Sequence, residues 1–399
     1  MKINLKTLSE YMLYVYIIAL PYLAIVYPNI ADAIFIGFIL ITTIIVIRGG
    51  IDRRVLYRTG IFIIVLLAIT IITSMMAENK ETAYSGSWTL IQLLIFDFFL
   101  MITIDSDKVI IGCLKSFVIG TYTMMLFVFT QTGVQLLSVL PTWRFGGGDG
   151  SINVNSIGAA AGWSVLILFL FYKQERKKFF LYLMLPPMLF VFGSASRASL
   201  LIVLFGICIY YLTSKQKASY VKLALAIFLL VLGYNIVESL NLFPDFISRF
   251  NQLLAIKNGI DSTDGSTRVR YQIVLYGIEK IKERPWLGYG LGQFHYIFQD
   301  EALAPHNTFI QIAYAFGLVG AVWWYGNIAV SAFRIFSYSN SHVFRWIAVI
   351  NTVLVCMGIS AQSLTDKTAH LFLILLFNSD VLLRRQSDSE ANNIDELKS

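Results

Sequence analysis

Ala304–Gly320 reads APHNTFIQIAYAFGLVG and continues as AVWWYGNIAV to Val330. Behind the proline, residues 306–330 form one apolar run, and a helix that crosses the hydrocarbon layer needs about 20 such residues. The same pattern recurs outward in both directions. Runs at 11–27, 30–47, 59–77, 88–104, 109–131, 156–172, 179–193, 198–213, 221–239, 306–330, 344–363 and 370–383 predict twelve transmembrane helices. Composition agrees, with 57% hydrophobic and 14% charged residues and a mean hydropathy of +0.69, whereas soluble domains carry about 25% charged residues. The chain reads as an all-α polytopic membrane protein. Tyr11–Tyr27 lacks a small-residue cleavage site and reads as a retained first span. Cys113, Cys208 and Cys356 lie inside apolar runs without pairing or ligand spacing, and read as packing residues.

Charge then orients the spans. With Lys2 and Lys6 on the cytoplasmic side, the same side receives Arg48, Arg53, Arg54 and Arg58, then Lys108, then Lys173, Arg176, Lys177 and Lys178. Lys215, Lys217 and Lys222, Arg334 and Arg345, and Arg384 and Arg385 follow on that side. The opposite short connections hold Lys80, Arg144, Arg197 and Lys367. Short loops rich in Lys and Arg stay inside, so both termini are expected on the cytoplasmic side. The net charge of +7 belongs to this topology, and nucleic-acid binding is excluded for want of an accessible basic surface.

The organisation that follows is nine spans over 1–239, a long outer loop over 240–305, three spans over 306–385 and a polar tail over 386–399, expected to be disordered. Within the loop, Phe246, Phe250, Leu253 and Leu254 carry helical spacing, and so do Val269, Ile273 and Tyr276. Two amphipathic helices joined by the turn NGIDSTDGST are expected, lying on the membrane or capping the bundle. Gly288, Gly290 and Gly292 follow Pro285 and predict a tight turn that leads back to the membrane.

Four separate pieces of sequence converge on the outer face. His306 opens the tenth span, Arg197 precedes the eighth, and Arg268 and Arg270 lie in the outer loop. Each has a plain structural explanation: a snorkelling arginine, a solvated charge, or a His-Asn pair that caps a helix. Together they suit a different chemistry. Arginine binds phosphate through bidentate, pH-independent hydrogen bonds, and histidine titrates near neutrality and can take a proton from a hydroxyl. A phosphate leaving group and a hydroxyl nucleophile describe glycosyl transfer from a lipid-linked diphosphate sugar.

The same stretches carry a resemblance. SRASLL at Ser196–Leu201, RYQIVLYGIEKIKERPWLGYGLGQF from Arg270 and PHNTFIQIAYAFGLVG from Pro305 resemble, in this order, the signatures of the bacterial O-antigen ligase/polymerase superfamily. RFGGGDGSINVNSIGA from Arg144 resembles a looser feature, an Arg-Gly loop that ends in Asn155 before the sixth span. The resemblance implies a GT-C-like helical fold and metal-independent transfer without a cofactor or nucleotide sugar. The implied substrates are an undecaprenyl-diphosphate-linked glycan as donor and either a second lipid-linked glycan or lipid A-core as acceptor. It implies that Arg197 and Arg270 contact the donor diphosphate, with Arg268 as the alternative to Arg270, and that His306 activates the acceptor hydroxyl. Arg144, Asn155 and Asn307 are further substrate-binding candidates.

Two other classes compete. Transporters place polar groups near the membrane midplane, and Asp97 and Lys115 lie inside spans. Their similar depth on consecutive antiparallel helices predicts an ion pair. A nonenzymatic scaffold leaves the Arg/His set without a role. Within the transfer reading, a repeat polymerase is favoured over a ligase, on resemblance alone.

Overall fold

In a computed structural model the chain is described at residues 4–21, 27–48, 53–132, 153–214, 265–294, 305–361 and 363–398, with isolated positions between 221 and 251. The described residues are helical, without strands. In chain order the helices are α1 (Leu5–Ala19), α2 (Pro28–Ile47), α3 (Ile61–Met76), α4 (Lys80–Thr103), α5 (Asp107–Thr132) and α6 (Val154–Glu175). They continue as α7 (Phe179–Gly193), α8 (Arg197–Leu212), α9 (Gly265–Glu283), α10 (Thr308–Tyr338), α11 (His342–Met357) and α12 (Lys367–Lys398). A helical turn at Arg53–Val55 and a π-turn at Leu56–Gly60 lead into α3.

Six of these stretches are long and apolar enough to cross a membrane: Asn29–Ile47, Arg53–Met76, Lys80–Thr103, Asp107–Thr130, Val154–Glu175 and Thr308–Tyr338. Phe179–Gly193, Arg197–Leu212 and His342–Met357 are shorter apolar helices. Apart from those isolated positions, the predicted span 221–239 and the first amphipathic helix of the outer loop fall outside the described residues, as does Arg144. α9 is the second amphipathic helix, and it buries Ile273 from the predicted apolar stripe. α1 begins and ends earlier than the predicted 11–27. The tail departs from expectation, because α12 remains helical to Lys398. Asp388 pairs there with Arg54 at 2.8 Å.

The helices fall into two compact units, residues 1–13, 38–111 and 269–399, and residues 14–37 and 112–268. In the first, α3, α4, α10, α11 and α12 pack on one another. Phe62, Leu66, Phe96, Phe344, Phe372 and Phe377 form its fully buried interior. Polar groups gather at two opposite ends of this bundle. At one, Lys6 pairs with Asp105, and the buried Asp380 carboxylate collects Arg58 at 3.6 Å, Arg334 at 3.2 Å and Arg384 at 3.5 Å. These are residues assigned by charge to one side of the membrane.

The other end is built around a broken helix. Gly317 interrupts α10 with φ 65° and ψ −167°, a backbone region essentially restricted to glycine. The break strands backbone groups, and the segment after Pro285 satisfies them. Tyr289 and Gly290 donate to the Tyr314 and Ala315 carbonyls at 2.8 and 2.9 Å, while Leu318 donates to the Pro285 carbonyl at 2.7 Å. Inside a membrane such a break survives only where neighbouring protein restores the hydrogen bonds. The glycine turn is therefore an inserted strut, more than the return turn expected from sequence. Gln293, fully buried, fastens the end of that strut to the start of α4: its Oε1 accepts from the Asn79 amide at 3.0 Å, and its Nε2 donates to the Asn79 carbonyl at 2.7 Å.

Candidate functional site

In the first unit, α9 meets the start of α10 through Ile273, Ile310, Tyr314, Tyr289 and Phe294, which form one buried cluster. Gly277 allows the approach, because a side chain there would collide with Ile310. Arg270 lies one turn before Ile273 and two before Gly277, on the helix face that meets α10. His306 lies one turn before Ile310. Packing thus brings Arg270 and His306 together, close enough that the guanidinium charge, behind desolvation as the larger cause, lowers the His306 pKa below its ordinary 6.5. Arg268 is exposed, and its position two residues away points it to the opposite face of α9.

The turn around His306 separates two roles that sequence alone leaves combined. Asn307 is the cap of α10: its Oδ1 accepts from the Ile310 amide at 3.1 Å, and its Nδ2 donates to the Ile359 carbonyl at 3.1 Å. It is only 8% exposed. His306 adopts φ 45°, in the left-handed region that histidine enters more readily than most residues. This reverses the chain after Pro305, so that the imidazole is exposed while Asn307 turns inward. Thr308 completes the seat. Its amide donates to the Gly358 carbonyl at 2.7 Å, its hydroxyl donates to the Ala361 carbonyl at 2.7 Å, and it accepts from the Ser363 amide at 3.0 Å.

The second unit carries Arg197 and Asn155. α7 and α8 both pack on α6, and Gly158 and Gly162 of α6 admit Ser194, Ser196 and Ser199 at close range. Ala195 turns the chain with φ 49°, and Arg197 is the first helical residue after Ser196. The turn is tied internally: Ser194 Oγ donates to the Val191 carbonyl at 3.0 Å, and Ser199 Oγ donates to the Ser196 carbonyl at 2.6 Å. Asn155 is exposed one turn before Gly158 on the same face of α6, toward the turn that presents Arg197. The structure thus brings Arg270, His306 and Asn307 together in one unit and Arg197 and Asn155 in the other.

The expected Asp97–Lys115 pair does not form. Asp97 Oδ2 instead lies 2.7 Å from His370 Nδ1, with both side chains wholly buried. Lys115 is exposed, and its ammonium sits 5.9 Å from the Phe171 ring centre. Similar depth on neighbouring helices does not fix rotation about the helix axis, and rotation decides which side chains meet. Sequence reasoning passes over His370 because it stands at the head of an apolar run, like many helix starts, and its partner is 273 residues away.

The described residues define an all-helical protein with six helices long and apolar enough to cross a membrane. A family model described as O-antigen ligase matches residues 179–325. The match, over less than half of the chain, supports the O-antigen ligase/polymerase superfamily and with it a glycosyltransferase-like function in O-antigen assembly. The matched segment runs from α7 into α10 and contains Arg197, Arg268, Arg270, His306 and Asn307; Arg144 and Asn155 lie before it. No curated protein matches the chain.

Proposed function

We propose that the protein polymerises polysaccharide repeats, transferring an undecaprenyl-diphosphate-linked glycan to a sugar hydroxyl at the periplasmic face of the bacterial inner membrane. The observation that carries this reading is the packing of α9 on the start of α10, which sets Arg270 beside the exposed His306 within a segment matched as O-antigen ligase. His306 accepts the proton of the acceptor hydroxyl, and the freed oxygen attacks the anomeric carbon of the donor sugar. The bond to the diphosphate breaks, and the diphosphate leaves with the electron pair. Arg270 and Arg197 hold that developing charge, as arginines do for leaving phosphates. A single displacement inverts the anomeric centre. Arg268 is exposed and belongs to the approach of the anionic donor, and Arg144 and Asn155 contact the glycan. Asn307 seats His306. The basic ends of the helices lie in the cytoplasm and the His306 turn in the periplasm.

The description of the matched family favours a second reading, in which the acceptor is lipid A-core and the protein is a ligase. The glycan of a deletion strain separates the two. Core carrying a single repeat is the polymerase result; bare core with lipid-linked polymer is the ligase result. Unchanged surface glycan with a blocked flipping step would contradict both and favour a transporter.

A further inference from the structure

None of the transfer steps uses the buried pair Asp97–His370. His370 Nδ1 is 2.7 Å from Asp97 Oδ2, and its Nε2 is 3.0 Å from the Leu364 carbonyl. Both ring nitrogens face oxygens, yet a neutral imidazole carries only one N–H. The pair therefore holds one proton more than a carboxylate and a neutral ring together. Either an imidazolium faces a carboxylate, or a carboxylic acid donates to Nδ1. In both forms the pair is neutral overall, and the Nε2–H is committed to Leu364.

Leu364 belongs to the connection between α11 and α12 that receives the start of α10. Gly358, Ile359, Ala361 and Ser363 of that connection bind Asn307 and Thr308, and Ser363 is the immediate neighbour of Leu364. Asp366 caps the first turn of α12: its Oδ1 accepts from the Ala369 amide at 2.7 Å and its backbone carbonyl from the His370 amide at 3.1 Å. Hydrogen bonds, joined by the Ser363–Leu364 backbone link, thus connect Asp97 on α4 to Thr308, two residues after His306. We propose that Asp97 and His370 are positioning residues: their shared proton locks the 358–364 connection to α4, and that connection holds His306 at its working position. The inference rests on the transfer reading for its effect on turnover, but the lock itself is measurable without any glycan.

The test uses purified full-length protein and three variants. Asp97→Asn is the conservative rescue, because its amide donates to Nδ1 and leaves Nε2–H on Leu364. Asp97→Leu/His370→Leu removes both polar groups and leaves no orphaned charge, a replacement that buried pairs often tolerate. His370→Asn keeps a polar group beside Asp97 but is too short to reach Leu364, which covers a double variant that fails to fold. Hydrogen exchange should quicken at 305–310 and 358–366 in the double variant and in His370→Asn, and remain as in wild type in Asp97→Asn. Turnover should fall by about a hundredfold in the first two, the scale of a small misplacement of a reacting group, with donor KM retained. Unchanged exchange in both segments, or wild-type turnover in His370→Asn, would overturn the proposal. Quickened exchange in a protein whose wild type transfers no glycan would uphold the lock and defeat the transfer reading instead.

Discussion

At the scale of single residues, His306 and Asn307 look interchangeable in sequence and do different work in the fold. Asn307 supplies the cap and the bond to Ile359, so Asn307→Ala should lower stability by about 0.5–2 kcal/mol for the cap alone, read as a shift in thermal unfolding. His306 supplies neither contact, and its pKa carries a prediction about pH. Its neutral ring is the form that accepts a proton, and a pKa below 6.5 keeps it neutral into mildly acidic solution. The acid limb of kcat/KM should therefore lie below the ordinary histidine value. Arg270→Gln removes one cause of the depression and should move that limb upward. Arg270→Lys retains the charge and should leave the limb in place while turnover drops, since the bidentate fork is lost. An identical acid limb in wild type and Arg270→Gln would show that the two side chains do not interact. Sequence singles out His306 as a candidate because a titratable ring at the mouth of an apolar run is conspicuous. It misses His370, whose meaning depends on a partner that only the packing of α4 against α12 supplies.

At the scale of elements, hydrophobic run length alone locates most of the helices, because a membrane demands long apolar stretches with internally satisfied backbones. It cannot show that α10 is broken, since Gly317 sits in an apolar run where glycine is common. Only the strut at 285–292 gives that glycine its role. Interrupted helices also occur in transporters, where the exposed backbone binds substrate; here the Tyr314 and Ala315 carbonyls are already taken by Tyr289 and Gly290. Gly317→Ala should be strongly destabilising, because its Cβ would overlap the Trp286 carbonyl and its backbone geometry alone costs about 1–3 kcal/mol. Gly326 lies in the same helix, and a Cβ added there would meet nothing within 4 Å, so Gly326→Ala should be neutral or slightly stabilising. Thermal unfolding in detergent compares the two, and equal effects would mean that the break does not hold the strut.

At the scale of the whole molecule, the proposed sidedness rests on charge asymmetry. Arg58, Arg334 and Arg384, assigned to one side by sequence, meet on Asp380 at one end of the first unit, while His306 and the strut lie at the other. In the proposed reaction the diphosphate bond of the donor supplies the energy, so transfer is expected to proceed without added metal, with arginines bearing the leaving charge. Activity lost to EDTA and restored by magnesium or manganese would contradict that expectation. The most direct measurement of the proposed chemistry is glycan transfer by purified, EDTA-treated protein given a polyprenyl-diphosphate-linked glycan and an acceptor, with His306→Asn beside the wild type. General-base catalysis contributes about 10²–10⁴ in rate, so the variant should fold, bind donor and form product at least about a hundredfold more slowly. Product formed by His306→Asn at the wild-type rate would contradict the role given to this histidine.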